Sequence, residues 1–305
     1  MNLVSKLSRI ALICSEPDRL ADFYESSFGF TRTCEVSIAE PAFGKLIGVE
    51  GATARAITLQ LVKQKIELLG VQPLGRSYPR GISGQNSIFQ HFAIVVADMA
   101  SSYARLSAHA GWTPISIDGP QFLPVSSGGV TAFKFRDPEG HPLELIAFSR
   151  GRTPAKWHSP SAAECLGIDH SAISVAITER SVKFYEGLGL GRAGGSLNFG
   201  PEQDKLDDVA GALVEVTAMA PPITTPHVEL LCYRGGFDGE SALPATNDIA
   251  ATRLVMKVES EGVLEQLCAQ NLGTILSSPV RFEHRGLSTM LRDPDGHLLC
   301  LEARV

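Results

Sequence analysis

Four short apolar runs punctuate this chain of 305 residues, and each is followed by apolar positions at helical spacing. The runs RIALIC from Arg9, HFAIVV from His91, HSAISVAI from His170 and RLVMKV from Arg253 read as strands. Behind them, Leu20, Phe23 and Tyr24 follow Pro17-Asp18, and Met99, Tyr103 and Leu106 repeat the spacing. Val182, Phe184 and Tyr185 follow Thr178-Glu179, which predicts a capping region there. Val263, Leu264 and Leu267 predict the fourth helix. The stretches beyond each helix are β-rich, so every unit reads strand, helix, then about three strands. Asp-Pro-Glu-Gly at Asp137 and Asp-Pro-Asp-Gly at Asp293 predict tight turns, because Pro presets φ and Gly permits positive φ.

The units are copies of one another. Phe23-Tyr24-Glu25 returns as Phe184-Tyr185-Glu186, Glu67 returns as Glu229, and Asp137–Leu145 returns as Asp293–Leu301. A weaker echo relates the run ending at Val175 to the run ending at Val96. The chain therefore reads as four modules of roughly 75–80 residues. Segments rich in Gly, Pro and Ser around 71–88, 150–166 and 234–249 separate them. The central one divides a half at 1–150 (modules about 1–75 and 85–150) from a half at 165–305 (modules about 165–235 and 248–305).

Hydrophobic residues make up 44% and charged residues 20%, an ordinary balance that lets each half bury its own core. The net charge of -6, with no basic stripe, argues against a nucleic-acid partner. No apolar run is long enough for a membrane span, and the N-terminal stretch is too short and interrupted for a signal peptide. Six cysteines are scattered without a CxxC, as expected of reduced thiols in a cytoplasmic protein.

The βαβββ order, the helix ends FYESSFG and FYEGLG, and the endings DPEGHPLEL and DPDGHLLCL together resemble the vicinal oxygen chelate superfamily. That family includes glyoxalase I, bleomycin- and fosfomycin-resistance proteins and type I extradiol dioxygenases, and the resemblance covers nearly the whole chain. It implies an α+β fold in which four βαβββ modules form two paired, curved mixed sheets. It also implies a metal held by the first and last strands of paired modules. The matching first-strand positions are Arg9, His91, His170 and Arg253, and the last-strand positions are Glu67, Glu144, Glu229 and Cys300.

Modules two and three thus supply His91, Glu144, His170 and Glu229. Side chains of adjacent strands share a face at period two, and two imidazoles with two carboxylates suit divalent Zn, Ni, Co, Mn or Fe. Modules one and four supply Arg9, Glu67, Arg253 and Cys300, whose two cations repel a metal. Four-module glyoxalases pair modules two with three and one with four, which gives one complete site and one degenerate one. The dioxygenase pairing, one with two and three with four, breaks the two-His-one-carboxylate triad. The leading expectation is a metal-dependent glyoxalase-like lyase or isomerase acting on a small molecule through two vicinal oxygens, with Glu144 or Glu229 as base. An extradiol-type dioxygenase and a non-enzymatic binding protein are the alternatives. The chain holds both modules of each pair, so a homodimer is allowed but not required.

The remaining polar positions have structural expectations. Glu67 pairs with Arg9 or Arg253, Cys300 is a buried thiol, and Glu302, two residues on and on the same face, is a secondary candidate to take its place as ligand. His141 and His297 are polar turn residues, Tyr24 and Tyr185 pack, and His227 is an exposed strand residue with a secondary reading as acid/base near Glu229. Lys134, Arg136 and Lys257 are candidates to contact an anionic substrate.

Overall fold

The computed structural model describes residues 3–158, 163–237, 242–270, 272–283 and 286–303. Residues 159–162 of the central linker and 238–241 of the third therefore lie outside the described residues. Module one comprises β1 (Val4–Ile13), α1 (Pro17–Phe28), β2 (Thr31–Ile38), α2 (Pro41–Ile47), β3 (Thr53–Leu61) and β4 (Gln64–Gln72). Module two comprises β5 (Gln90–Val96), α3 (Met99–Ser107), β6 (Thr113–Pro114), β7 (Gln121–Phe122), β8 (Val130–Arg136) and β9 (Pro142–Phe148). Module three comprises β10 (Cys165–Ser174), α4 (Thr178–Gly187), β11 (Gly191–Phe199), α5 (Pro201–Asp207), β12 (Leu213–Ala220) and β13 (His227–Tyr233). Module four comprises β14 (Arg253–Val258), α6 (Glu261–Ala269), β15 (Thr274–Ile275), β16 (Val280–Phe282), β17 (Gly286–Arg292) and β18 (Leu298–Ala303).

The α+β class and the two paired, curved mixed sheets are as the sequence predicts. Sheet A runs β15-β17-β18-β14-β1-β4-β3-β2 and joins module four to module one. Sheet B runs β11-β12-β13-β10-β5-β9-β8-β6 and joins module three to module two. At each junction the two first strands run antiparallel, β1 on β14 and β10 on β5, while each pairs in parallel with its own last strand. Both β1 and β10 begin about five residues before the predicted runs, because they extend across their partner with register shifts that apolar patterning does not mark.

Alternation of side chains assigns each strand two duties. Ile10 and Leu12 of β1, Phe92 and Ile94 of β5, and Ile173 of β10 enter one apolar core shared with helices α1, α3, α4 and α6. Residues between them face the concave sides. Helix α1 starts on Pro17 and stops at Gly29, whose φ of 75° allows its N–H to reach the Glu25 carbonyl. Asp98 and Ser260 cap α3 and α6 through their side chains. The predicted cap at Thr178 is absent: its hydroxyl donates to Glu215 (2.9 Å), which removes it from the helix end.

The two Asp-Pro turns cross-link modules that the sheets keep apart. Tyr24 of module one donates to Asp137 of module two (2.9 Å), and Tyr185 of module three donates to Asp293 of module four (3.1 Å). His141 lies 2.8 Å from Asp137 and donates through Nε2 to the Ile13 carbonyl (2.9 Å), while His297 does the same to Ser174 (2.8 Å). Burial disfavours the His141 imidazolium, but Asp137 beside it outweighs that and raises its pKa. The tyrosines pack as expected, and the histidines are turn residues that are buried, so that together they bracket the modules. Among the described residues, no helix is long and apolar enough to cross a membrane.

Candidate metal centre

Strand register converts the sequence repeat into a spatial one. Ala11 pairs with Glu67, Ala93 with Glu144, Ala172 with Glu229 and Val255 with Cys300. The first-strand candidates Arg9, His91, His170 and Arg253 each stand two residues earlier, on the same concave face. Each sheet therefore carries one quartet at its centre.

In sheet B the quartet lines a cavity of about 420 Å³. His91 Nε2 lies 3.1 Å from Glu144, and His170 Nε2 lies 3.4 Å from Glu144 and 3.5 Å from Glu229. His91, Glu144 and His170 offer ligand atoms that all lie within 4.8 Å of one another, as do Asp169, His170 and His227. His170 Nε2 and His91 Nδ1 are buried without a hydrogen-bond partner among the described residues.

The charges are strongly coupled. Burial opposes ionisation of Glu144, but His170, His91 and Lys134 outweigh it and hold the carboxyl well below the ordinary range. Burial also opposes a charged His170, yet Glu229, Asp169 and Glu144 raise its pKa well above the ordinary value. His91, with a weaker carboxylate environment, is lowered by burial. Glu229 is lowered as well, because His170 and His227 outweigh its burial.

Several neighbours escape a period-two reading. Asp169 follows a register shift in β10 that turns its carboxylate to His170 Nδ1 (3.2 Å), and Lys156 holds the other oxygen (2.7 Å). His227 is buried rather than exposed, so the surface expectation for it fails, and it lies 3.4 Å from Glu229 two residues along the same strand, as its secondary reading placed it. Lys134 is also buried and donates to Asp207 (2.6 Å), a residue at the end of the unanticipated short helix α5. Arg136 donates to the Gly140 and Ile82 carbonyls, and Lys257 pairs with Glu302 (2.8 Å) in the other sheet, so neither lines this cavity.

Sheet A has closed over its quartet. Arg9 bridges Glu67 (3.1 Å) and Glu302 (2.6 Å and 3.0 Å), with Lys257 on the far side of Glu302. Burial pushes the Cys300 thiol up to about 12, as expected of an inert core cysteine. Arg253 is buried and donates to the Thr246 carbonyl, and burial brings its pKa down to about 10. Burial raises Glu302, but Arg9 and Lys257 outweigh it and bring its carboxyl from 4.5 down to about 2. A depressed carboxylate contributes stability above its unfolded value and loses it as pH falls toward the folded one. The stability gap between wild type and Glu302→Gln should therefore narrow between about pH 4.5 and about pH 2. Urea denaturation across that window checks this, and a pH-independent gap would refute the ion-pair account.

The profile of the Glyoxalase/Bleomycin resistance protein/Dioxygenase superfamily matches residues 6–145. Glyoxalase I from Zea mays has the same fold at 18% identity, covering 98% of this chain and 92% of that one with a TM-score of 0.61. A proposed dioxygenase from Bacillus subtilis is similar at 14% identity, covering 99% and 86%, with a TM-score of 0.62. Among curated proteins, no sequence matches.

Proposed function

We propose that this chain, which belongs to the glyoxalase, bleomycin-resistance and dioxygenase superfamily, holds one divalent ion through His91, Glu144, His170 and Glu229 and catalyses proton-transfer isomerisation or lyase chemistry on a small molecule. The observation that carries this reading is the convergence of two imidazoles and two carboxylates from four strands on one cavity. The donor set fits such an ion: His170 Nε2 is buried, has no hydrogen bond among the described residues and lies within 3.5 Å of both carboxylates. When bound, the ion supplies Lewis acidity toward two vicinal substrate oxygens.

The two glutamates are not equivalent. Glu144 faces His91 and His170, is paired across the rung with Lys134, and has a side chain 8% exposed. That environment keeps it ionised and fixed. Glu229 is 21% exposed, with His227 at 3.4 Å as its nearest donor, so it has room to reach a substrate carbon. Glu229 is therefore the base that takes a carbon-bound proton on its carboxylate, where it exchanges with solvent before a proton is returned to the carbon framework. Asp169 at His170 Nδ1 fixes the ring so that Nε2 faces the cavity.

Purified protein should carry about one divalent ion per chain by elemental analysis. In D2O, NMR should show solvent exchange at the carbon-bound proton of an α-hydroxy carbonyl compound from a screened panel. Glu229→Gln should reduce that exchange roughly 100- to 10,000-fold while folded protein retains metal. Undiminished exchange would move the base to another residue. The His91-Glu144-His170 set also has the composition of a two-His-one-carboxylate iron site, which favours an extradiol-type dioxygenase as second reading. Oxygen uptake with a catechol, in place of proton exchange, would select it.

A further inference from the structure

Sheets A and B provide an internal comparison beyond the metal quartet. In sheet B, Asn198, Val214 and Tyr233 form one rung across β11, β12 and β13. Gln203 and Asp207 stand on α5, and Lys134 on β8 faces Glu144. The repeat-related rung in sheet A is Ile38, Ala54 and Val71. Phe43 and Ile47 on α2 take the places of Gln203 and Asp207, and Met290, opposite Cys300, takes that of Lys134. Ile38, Phe43, Ile47, Val71 and Met290 all belong to the apolar cluster that fills the concave face of sheet A. The same architecture is thus satisfied by five apolar side chains where sheet B buries Asn198, Gln203, Asp207, Tyr233 and Lys134. Buried polar groups cost free energy unless paired, so packing alone does not call for them.

Their bonding shows what they offer. Asp207 accepts from Lys134 (2.6 Å), Gln203 Nε2 (2.7 Å) and the Tyr233 hydroxyl (2.8 Å). That hub ties α5 to both modules and fixes the Gln203 amide, leaving Oε1 buried without a partner among the described residues. Asn198 Oδ1 is in the same condition, and both residues line the cavity with the quartet. The two open atoms are acceptors. The cavity is also lined by the carboxylates of Glu144, Asp169, Asp207 and Glu229, and among the described residues Lys134, bound to Asp207, is its only lysine or arginine.

We propose that these five side chains form a second subsite that selects a substrate whose far end carries an uncharged hydrogen-bond donor, a hydroxyl or amide N–H, and rejects one ending in a carboxylate. The inference rests on the quartet as anchor for the vicinal oxygens. Glu229 and Tyr233 are four residues apart on β13, about 13 Å in an extended strand. The substrate is therefore elongated, with its middle against the apolar walls of Ile146, Leu206 and Leu231.

The test uses a straight-chain hydroxamate, whose two oxygens mimic a vicinal pair, ending in a hydroxyl, in its methyl ether or in a carboxylate. Calorimetry on the full chain, as isolated and reconstituted with Zn(II), should show the hydroxyl form bound about tenfold or more tighter than the other two. Gln203→Met should erase that preference with metal content unchanged, and Asn198→Val provides the same reading if Gln203→Met does not fold. A carboxylate tail bound equally or better, or a preference that survives both variants, overturns the subsite. If hydroxamate binding is then still metal-dependent, the metal reading stands alone. If protein binds no metal but shows the hydroxyl preference and loses it in the variants, the metal reading falls and the subsite stands.

Discussion

His170→Ala should abolish stoichiometric metal binding in a protein that remains folded. His170 is the shared member of both buried ligand groups, lies within 3.5 Å of Glu144 and Glu229, and is oriented by Asp169. Loss of an outer partner of a metal ligand typically costs roughly 10–100-fold in affinity, and loss of the ligand itself should exceed that. Truncation leaves Glu144 beside His91 and Lys134 and Glu229 beside His227, but it breaks both buried three-donor groups, because His170 belongs to each. Elemental analysis after dialysis measures the effect, and thermal unfolding confirms the fold. Unchanged metal content in folded His170→Ala would falsify the quartet.

Arg9→Ala should have the opposite profile, a large loss of stability with metal content intact. Arg9 is the cation between Glu67 and Glu302, all three buried or nearly so. Removing one partner of a buried ion pair leaves uncompensated charge and costs roughly 3–5 kcal/mol, here softened by Lys257 on Glu302. Its module belongs to sheet A, whereas the quartet lies wholly in sheet B, so metal binding should not follow the stability loss. Urea denaturation and elemental analysis on the same preparation separate the two quantities. A combined Arg9→Met, Glu67→Leu and Glu302→Leu variant should recover most of the loss, because apolar replacement of a whole buried cluster is often neutral. Metal lost from folded Arg9→Ala would instead couple the two quartets.

The concave faces show why the two sheets differ although their modules share one plan. Sheet A places Phe43, Ile47 and Met290 against its center, and its ion cluster is sealed. Sheet B has two smaller apolar clusters, one around Ala93 and Ile146 and the other around Ala172 and Val214. The polar quartet and the Asp207 hub occupy the space that a continuous core fills in sheet A. Phe43, Ile47 and Met290 in one sheet and Gln203, Asp207 and Lys134 at the matching places in the other accompany the closed and the open face.

Much of this was legible along the chain because it depends on local periodicity. Helices α1, α3, α4 and α6 follow from apolar spacing, and the recurrence of Glu67 at Glu229 and of Asp137 at Asp293 defines the modules. Comparison of the copies already separated His91, Glu144, His170 and Glu229 from Arg9, Glu67, Arg253 and Cys300. The four-residue sets are local in each strand, so their chemical types can be read without knowing how the strands meet.

Asp169 and Asp207 had no comparable signal, and His227 had only its spacing of two residues from Glu229. Asp169 reaches His170 because a register shift breaks the alternation that a linear reading assumes, and His227 is buried by strands distant in sequence. Asp207 acquires its role from Lys134 and Tyr233, which are 73 and 26 residues away. Repetition and alternation thus dictated the modules and their strand-helix-strand order, since each follows from neighbours along one strand or helix, whereas the α+β class and the candidate positions came with the family resemblance. The joining of module two to three and one to four, the opening of one cavity and the sealing of the other came from antiparallel pairing of β5 with β10 and β1 with β14. Such pairings depend on hydrogen bonds and side-chain volumes that meet only when distant segments pack.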